Sequence, residues 1–136
     1  VAGLNYPAVF VAAVLNMVIG ALWYSPALLG RQWMNLMGFK PEDAQRRMAG
    51  ARRTYALAFV ASLLMAYALA RFIWYSGVAS LIGGAAVGLL AWLGFVATTH
   101  GVNYLFEGRP ARLYWVNTGY PLVSLVVMGA LLAVWS

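Results

Sequence analysis

Cysteine is absent from the 136-residue chain. That excludes disulfides, thiolate nucleophiles and cysteine-ligated zinc or iron–sulfur sites. Charge is scarce as well. Only 9% of the residues are charged, against roughly 25% in soluble globular domains. The acidic residues are Glu42, Asp43 and Glu107, and His100 is the single histidine. No Walker phosphate loop, Rossmann glycine fingerprint or zinc-peptidase His-Glu spacing occurs. A single-chain hydrolase would have to be assembled from His100, Ser25 and Glu107. A proton-coupled antiporter of the small multidrug type needs a carboxylate in its membrane core, and all three acids are expected outside it. No metal site and no cofactor are expected.

Hydrophobic residues make up 64% of the chain, and their distribution is that of an integral membrane protein. The uncharged tracts are 1–30, 54–70, 72–106 and 113–136. A helix needs about 20 residues to cross some 30 Å of hydrocarbon. Four spans follow, at approximately 5–24, 54–74, 78–101 and 114–135, all within one membrane domain, 1–136. The second borrows Arg71, whose charge is expected to snorkel toward the headgroups. Trp23 and Tyr24, Trp74 and Tyr75, and Trp115 with Trp135 mark span edges, where aromatic rings favour the interface. The Trp-Tyr-Ser triplet at 23–25 and 74–76 reads as two such belts, not a repeat. No basic residue precedes Arg31, so the opening stretch reads as a retained span, not a cleaved signal.

The formal charge of +6 does not imply nucleic acid, because the positions of the cations matter more than their sum. Arg31, Lys40, Arg46, Arg47, Arg52 and Arg53 fall between spans one and two, and Arg109 and Arg112 between spans three and four. Only Arg71 lies on the other side. The positive-inside rule therefore places both connections in the cytoplasm and both termini outside, with a bacterial inner membrane as the expected location. Within the connection 25–53, Ser25 and Pro26 can open a short helix that Gly38 ends. Pro41 can open another, with Glu42 and Asp43 in its first turn. The first presents apolar and cationic faces, as an interfacial helix on anionic lipid does, and packing under the bundle is the alternative. Arg31, Arg46, Arg47, Arg52, Arg53, Arg109 and Arg112 are the candidate lipid-headgroup contacts.

Small residues recur at helical spacing. Ala8, Ala12, Asn16 and Gly20 form one stripe, Ala58, Ser62, Ala66 and Ala70 a second, and Ser80, Gly84 and Gly88, followed by Trp92, a third. Such stripes let helix backbones approach closely in a membrane. Gly20, Gly84 and Gly88 are therefore candidate packing positions, within one chain or between subunits. Met17, Met48, Met65 and Met128 read as packing or lipid-facing residues.

Polar residues in the spans carry the remaining information. Asn16 lies deepest in span one. His100 and Asn103 close span three, and Asn117 and Tyr120 open span four. Antiparallel topology puts Trp23, Tyr24, His100, Asn103, Asn117 and Tyr120 at similar depth, with Asn16 two turns below the aromatic edge. Buried amides and imidazoles need partners in hydrocarbon, so these seven residues are the candidate ligand-binding set. For Asn16 the alternative is a bond to a neighbouring helix, and for His100 a structural interfacial role. Glu107 with Arg109 or Arg112 reads as a loop ion pair, and Pro121 as the source of a local helix irregularity.

Asn5, Gly20-Ala21-Leu22-Trp23-Tyr24-Ser25-Pro26, Gly30 and Trp33-Met34 resemble the opening of a family of small four-helix membrane proteins found in bacteria and fungi and catalogued as a domain of unknown function. Trp92-Leu93-Gly94-Phe95, Phe106-Glu107-Gly108-Arg109 and Asn117-Thr118-Gly119-Tyr120 continue the pattern. The resemblance implies an all-α membrane bundle of four transmembrane helices, here with a short interfacial helix between spans one and two, and carries no activity. The leading functional reading is small-molecule or lipid binding, with a transporter component as one form of it. A structural or regulatory subunit of a membrane assembly, as a homo-oligomer or within a larger complex, is the alternative. A membrane enzyme comes third.

Overall fold

The computed structural model describes residues 5–24, 35 and 51–135. The short helices expected after Ser25 and Pro41 lie outside the described residues, as do the side chains of Arg31, Arg46 and Arg47. Helix α1 runs Tyr6–Trp23, α2 Ala51–Ser76, α3 Leu81–Ala91, α4 Thr98–Glu107 and α5 Ala111–Val134. A π-helical segment, Trp92–Ala97, joins α3 to α4 without a break, so Leu81–Glu107 is one rod. Among the described residues there are thus four helices long and apolar enough to cross a membrane, and the protein is an all-α integral membrane bundle. The rod continues past the expected end of span three at 101, and the stop is Gly108 in the left-handed region at φ 68°.

Helix ends follow from local chemistry. Asn5 caps α1 by accepting from the Ala8 amide at 3.2 Å, and its own Nδ2 donates to the Trp135 carbonyl, tying the start of α1 to the end of α5. Ser80 caps α3 through the Gly83 amide at 3.0 Å. Between them Gly77, at φ 73°, turns the chain out of α2, a conformation that costs glycine nothing. Arg71, near the end of α2, donates to the Tyr75 hydroxyl at 2.6 Å and lies over the Tyr67 and Tyr75 rings. Its charge is thereby held in a cation–π and hydrogen-bonded setting.

The small-residue stripes face inward. Ala8, Ala12 and Asn16 of α1 and Ser62, Ala66 and Ala70 of α2 are all buried. Outside them, Ile82, Leu105 and Phe106 are each more than 80% exposed, surface that a bilayer covers and water would not. The closest approach joins α3 to α5. A Cβ at Gly84 would collide with the Gly129 carbonyl and Ala133, and one at Gly88 with the Leu125 carbonyl. Backbone is in contact with backbone there, so these glycines pack helices within one chain. Gly20 makes a looser contact, its hypothetical Cβ lying 3.0 Å from the Tyr120 ring.

Gly88→Leu is therefore expected to destabilise the monomer by about 3 kcal/mol or more, at or above the top of the usual overpacking range, because backbone cannot yield as a side chain can. Gly94→Leu is the control, since a Cβ at Gly94 meets nothing within 4 Å. Thermal unfolding of both variants in detergent checks this; equal midpoints would refute the close α3–α5 approach.

Candidate functional site

Asn16 is the deepest polar group of α1 and is 3% exposed. Its Nδ2 donates to Ser62 Oγ of α2 at 2.6 Å, and Ser62 Oγ in turn donates to the Ala58 carbonyl. Its Oδ1 accepts from Ser124 Oγ, and the Tyr120 hydroxyl lies 2.9 Å from the same oxygen and 3.0 Å from the Asn16 carbonyl. One amide thus binds α1 to α2 and α5. An unpartnered amide in hydrocarbon costs several kcal/mol, so this arrangement determines which way α1 faces.

Nearer the C-terminal end of α1, two further bonds reach α5. Trp23 Nε1 donates to the Val116 carbonyl at 2.8 Å, and Tyr24 donates to Asn117 Oδ1 at 2.9 Å. Asn117 Nδ2 donates to the Tyr104 hydroxyl of α4 at 2.7 Å. Tyr24 also meets Tyr120 edge to face, 5.9 Å between centroids. These bonds cluster just before Pro121, which lies inside α5 and cannot supply the amide that Asn117 O would otherwise accept from. Trp92 Nε1 donates to the Thr118 carbonyl at 2.8 Å from the rod's side. Two indoles therefore brace the α5 backbone ahead of its proline.

The π-helical segment is held by side-chain donors. Thr98 Oγ1 donates to Gly94 O at 2.8 Å, His100 Nδ1 lies 3.0 Å from Val96 O, and the Tyr114 hydroxyl of α5 donates to Ala97 O at 2.8 Å. A carbonyl can only accept, so His100 carries its proton on Nδ1 when neutral and Nε2 is left as an acceptor. Widened turns of this kind are frequent at functional sites.

Tyr24, His100, Asn103, Tyr104, Glu107, Arg109, Asn117, Tyr120 and Pro121 line a cavity of about 450 Å³ at this end of the bundle. Five of the seven candidate residues are among them. The other two are not. Asn16 lies beneath, linked through Tyr120, and Trp23 is turned to Val116 and packed on Gly119, where a Cβ would lie 2.7 Å from its ring. Glu107 and Arg109, assigned from sequence to the adjacent loop, also face the cavity as an ion pair of 2.6 Å. The Arg109 guanidinium lies 5.4 Å from the centre of the Tyr104 ring. Tyr104 was missed because a tyrosine in an apolar run reads as a lipid-facing residue; its place four residues after His100 was the available signal. Arg52, Arg53 and Arg112 are exposed. Among the described residues no group of histidine and acidic side chains could hold a metal ion.

Comparison with known proteins shows that the family model described as "Protein of unknown function (DUF1761)" matches residues 7–133. The chain belongs to that family. No curated protein and no solved structure matches it.

The arrangement separates two kinds of asparagine. Asn16→Ala removes the side-chain bonds to Ser62, Tyr120 and Ser124, and is expected to lower unfolding stability by about 1–3 kcal/mol. Asn103→Ala removes an exposed amide and should stay within about 0.5 kcal/mol of wild type. Reversible unfolding in mixed micelles measures both; equal losses would contradict the distinction.

Proposed function

We propose that this membrane protein binds a small molecule or lipid in the cavity between α1, α4 and α5, as a binding protein or as the binding component of a transporter. The observation that carries the reading is the convergence of imidazole, amide, phenol and ion-paired side chains from three helices on one space of about 450 Å³ within a chain otherwise so apolar. Pockets of this size with a few convergent polar groups are the usual form of ligand sites. The alternative, a structural or regulatory subunit, drew its support from the small-residue stripes. Gly84 and Gly88 are occupied within the chain, so they no longer speak for a subunit interface.

The same reading puts the cavity on the cytoplasmic side. The basic connection leaves α1 directly after Tyr24, which lines the cavity, and Arg109 follows α4. The positive-inside rule then gives external termini. It leaves Arg31, Arg46, Arg47, Arg52, Arg53, Arg109 and Arg112 to meet anionic headgroups of the inner membrane.

Two measurements test the proposal. Because the chain has no cysteine, single cysteines introduced at Lys40 and near either terminus report orientation in intact cells. Membrane-impermeant labelling is expected only at the termini, and labelling at Lys40 would reverse the orientation. For binding, protein extracted with native lipid is compared with Asn103→Trp, which fills the cavity without removing a hydrogen bond. Mass spectrometry of the released molecules is expected to show at least one species enriched on wild type and lost from the variant at unchanged thermal stability. Identical profiles would refute the binding reading.

A further inference from the structure

The polar atoms around the cavity fall into two sets. On the α1 and α5 walls they are engaged with one another: Tyr120 with Asn16, and both ends of the Asn117 amide with the Tyr24 and Tyr104 hydroxyls. The others, apart from Arg109, lie on α4, where His100, Asn103, Tyr104 and Glu107 fall at i, i+3, i+4 and i+7, one face of a helix. Tyr104 is 8% exposed, and its hydroxyl accepts from Asn117 Nδ2. Its own hydrogen has no acceptor among the described residues, and a buried hydroxyl requires one. His100, with Nδ1 on the Val96 carbonyl, offers a lone pair at Nε2. The cavity therefore presents a donor and an acceptor one helical turn apart.

Its formal charges form one exposed ion pair. Glu107 and Arg109 are bonded to each other, and Arg109 rests on the Tyr104 ring. A charged ligand would have to compete with the resident partner for its counter-charge, whereas an uncharged one leaves the pair as it is. Beside the cavity, a recess of about 330 Å³ lined by Gly101, Leu105, Ala111 and Tyr114 shares Tyr104 and Arg109 with it. Its walls are mostly carbon, which suits an alkyl chain and not a second polar group.

We propose that the cavity takes the uncharged, hydroxyl-bearing headgroup of a single-chain amphiphile. A headgroup oxygen accepts from Tyr104, a headgroup hydroxyl donates to His100 Nε2, and the chain lies along the neighbouring recess. This rests on the ligand-binding reading above and specifies the ligand class for that site.

Three probes of equal chain length separate the possibilities: 1-decanoylglycerol, decanoate and decyltrimethylammonium, titrated into the full-length protein in nanodiscs and followed by native mass spectrometry. Decanoylglycerol is expected to bind at least about tenfold more tightly than either charged probe. Tyr104→Phe should remove about tenfold of that affinity, the scale of one hydrogen bond. Since this variant also deprives Asn117 of an acceptor, Glu107→Gln gives a second arm at an exposed pair outside the packed core. By freeing Arg109 it should move the preference toward decanoate. Preference of the wild type for a charged probe, equal binding of all three, or indifference to both variants overturns the inference. If a charged probe binds and Asn103→Trp abolishes it, the cavity reading stands and only the ligand class fails. If no probe binds, the ligand class falls, and the native molecules released from wild type and Asn103→Trp decide the cavity reading separately.

Discussion

The hydrogen bonds of one buried amide hold this bundle in register. Asn16 has no water to turn to, so its side chain must find a donor and an acceptor on neighbouring helices. It finds Ser62 on α2 and Ser124 and Tyr120 on α5. Lipid tails are as apolar as the helices, so no hydrophobic drive selects one face of α1 over another. The amide makes that selection. Once α1 is turned this way, Ala8 and Ala12 pack inward, Phe10 and Val18 face outward, and the end of α1 delivers Tyr24 to Asn117.

The functional end of the molecule is a consequence of that placement combined with two irregular backbones. Pro121 interrupts the hydrogen bonding of α5, and Trp92–Ala97 widens the rod opposite it. The indoles of Trp23 and Trp92 and the Tyr114 hydroxyl take up carbonyls on both sides. Irregular backbone at membrane depth is tolerated where protein or a cavity satisfies it, and here it is braced by side chains. The widened segment leads into α4, whose His100, Asn103, Tyr104 and Glu107 form one polar face.

Much of this was legible in the chain. The uncharged tracts announced four membrane-crossing helices, because bilayer thickness allows few other uses for them. Antiparallel depth brought Tyr24, His100, Asn103, Asn117 and Tyr120 together. Depth does not determine azimuth, however: of the two readings open for Asn16 the bond to neighbouring helices is the one formed, below the cavity, and Trp23 is a brace beside it. The third helix runs on past the span end expected at 101, because its stop is the left-handed Gly108. The π-helical segment left no periodic trace. It shifts register by a single residue over one turn, and its only sequence signals are the donors Thr98 and His100, each four residues past a carbonyl they satisfy.

A double-mutant cycle between Asn16→Ala and Tyr120→Phe, read by reversible unfolding in lipid micelles, bears most directly on the role of the amide. Because the Tyr120 hydroxyl bonds to the Asn16 side chain, a coupling free energy of about 0.6 kcal/mol or more is expected, the scale of interhelical hydrogen bonds in membranes. Additivity within about 0.3 kcal/mol, as for residues that do not interact, would contradict the account.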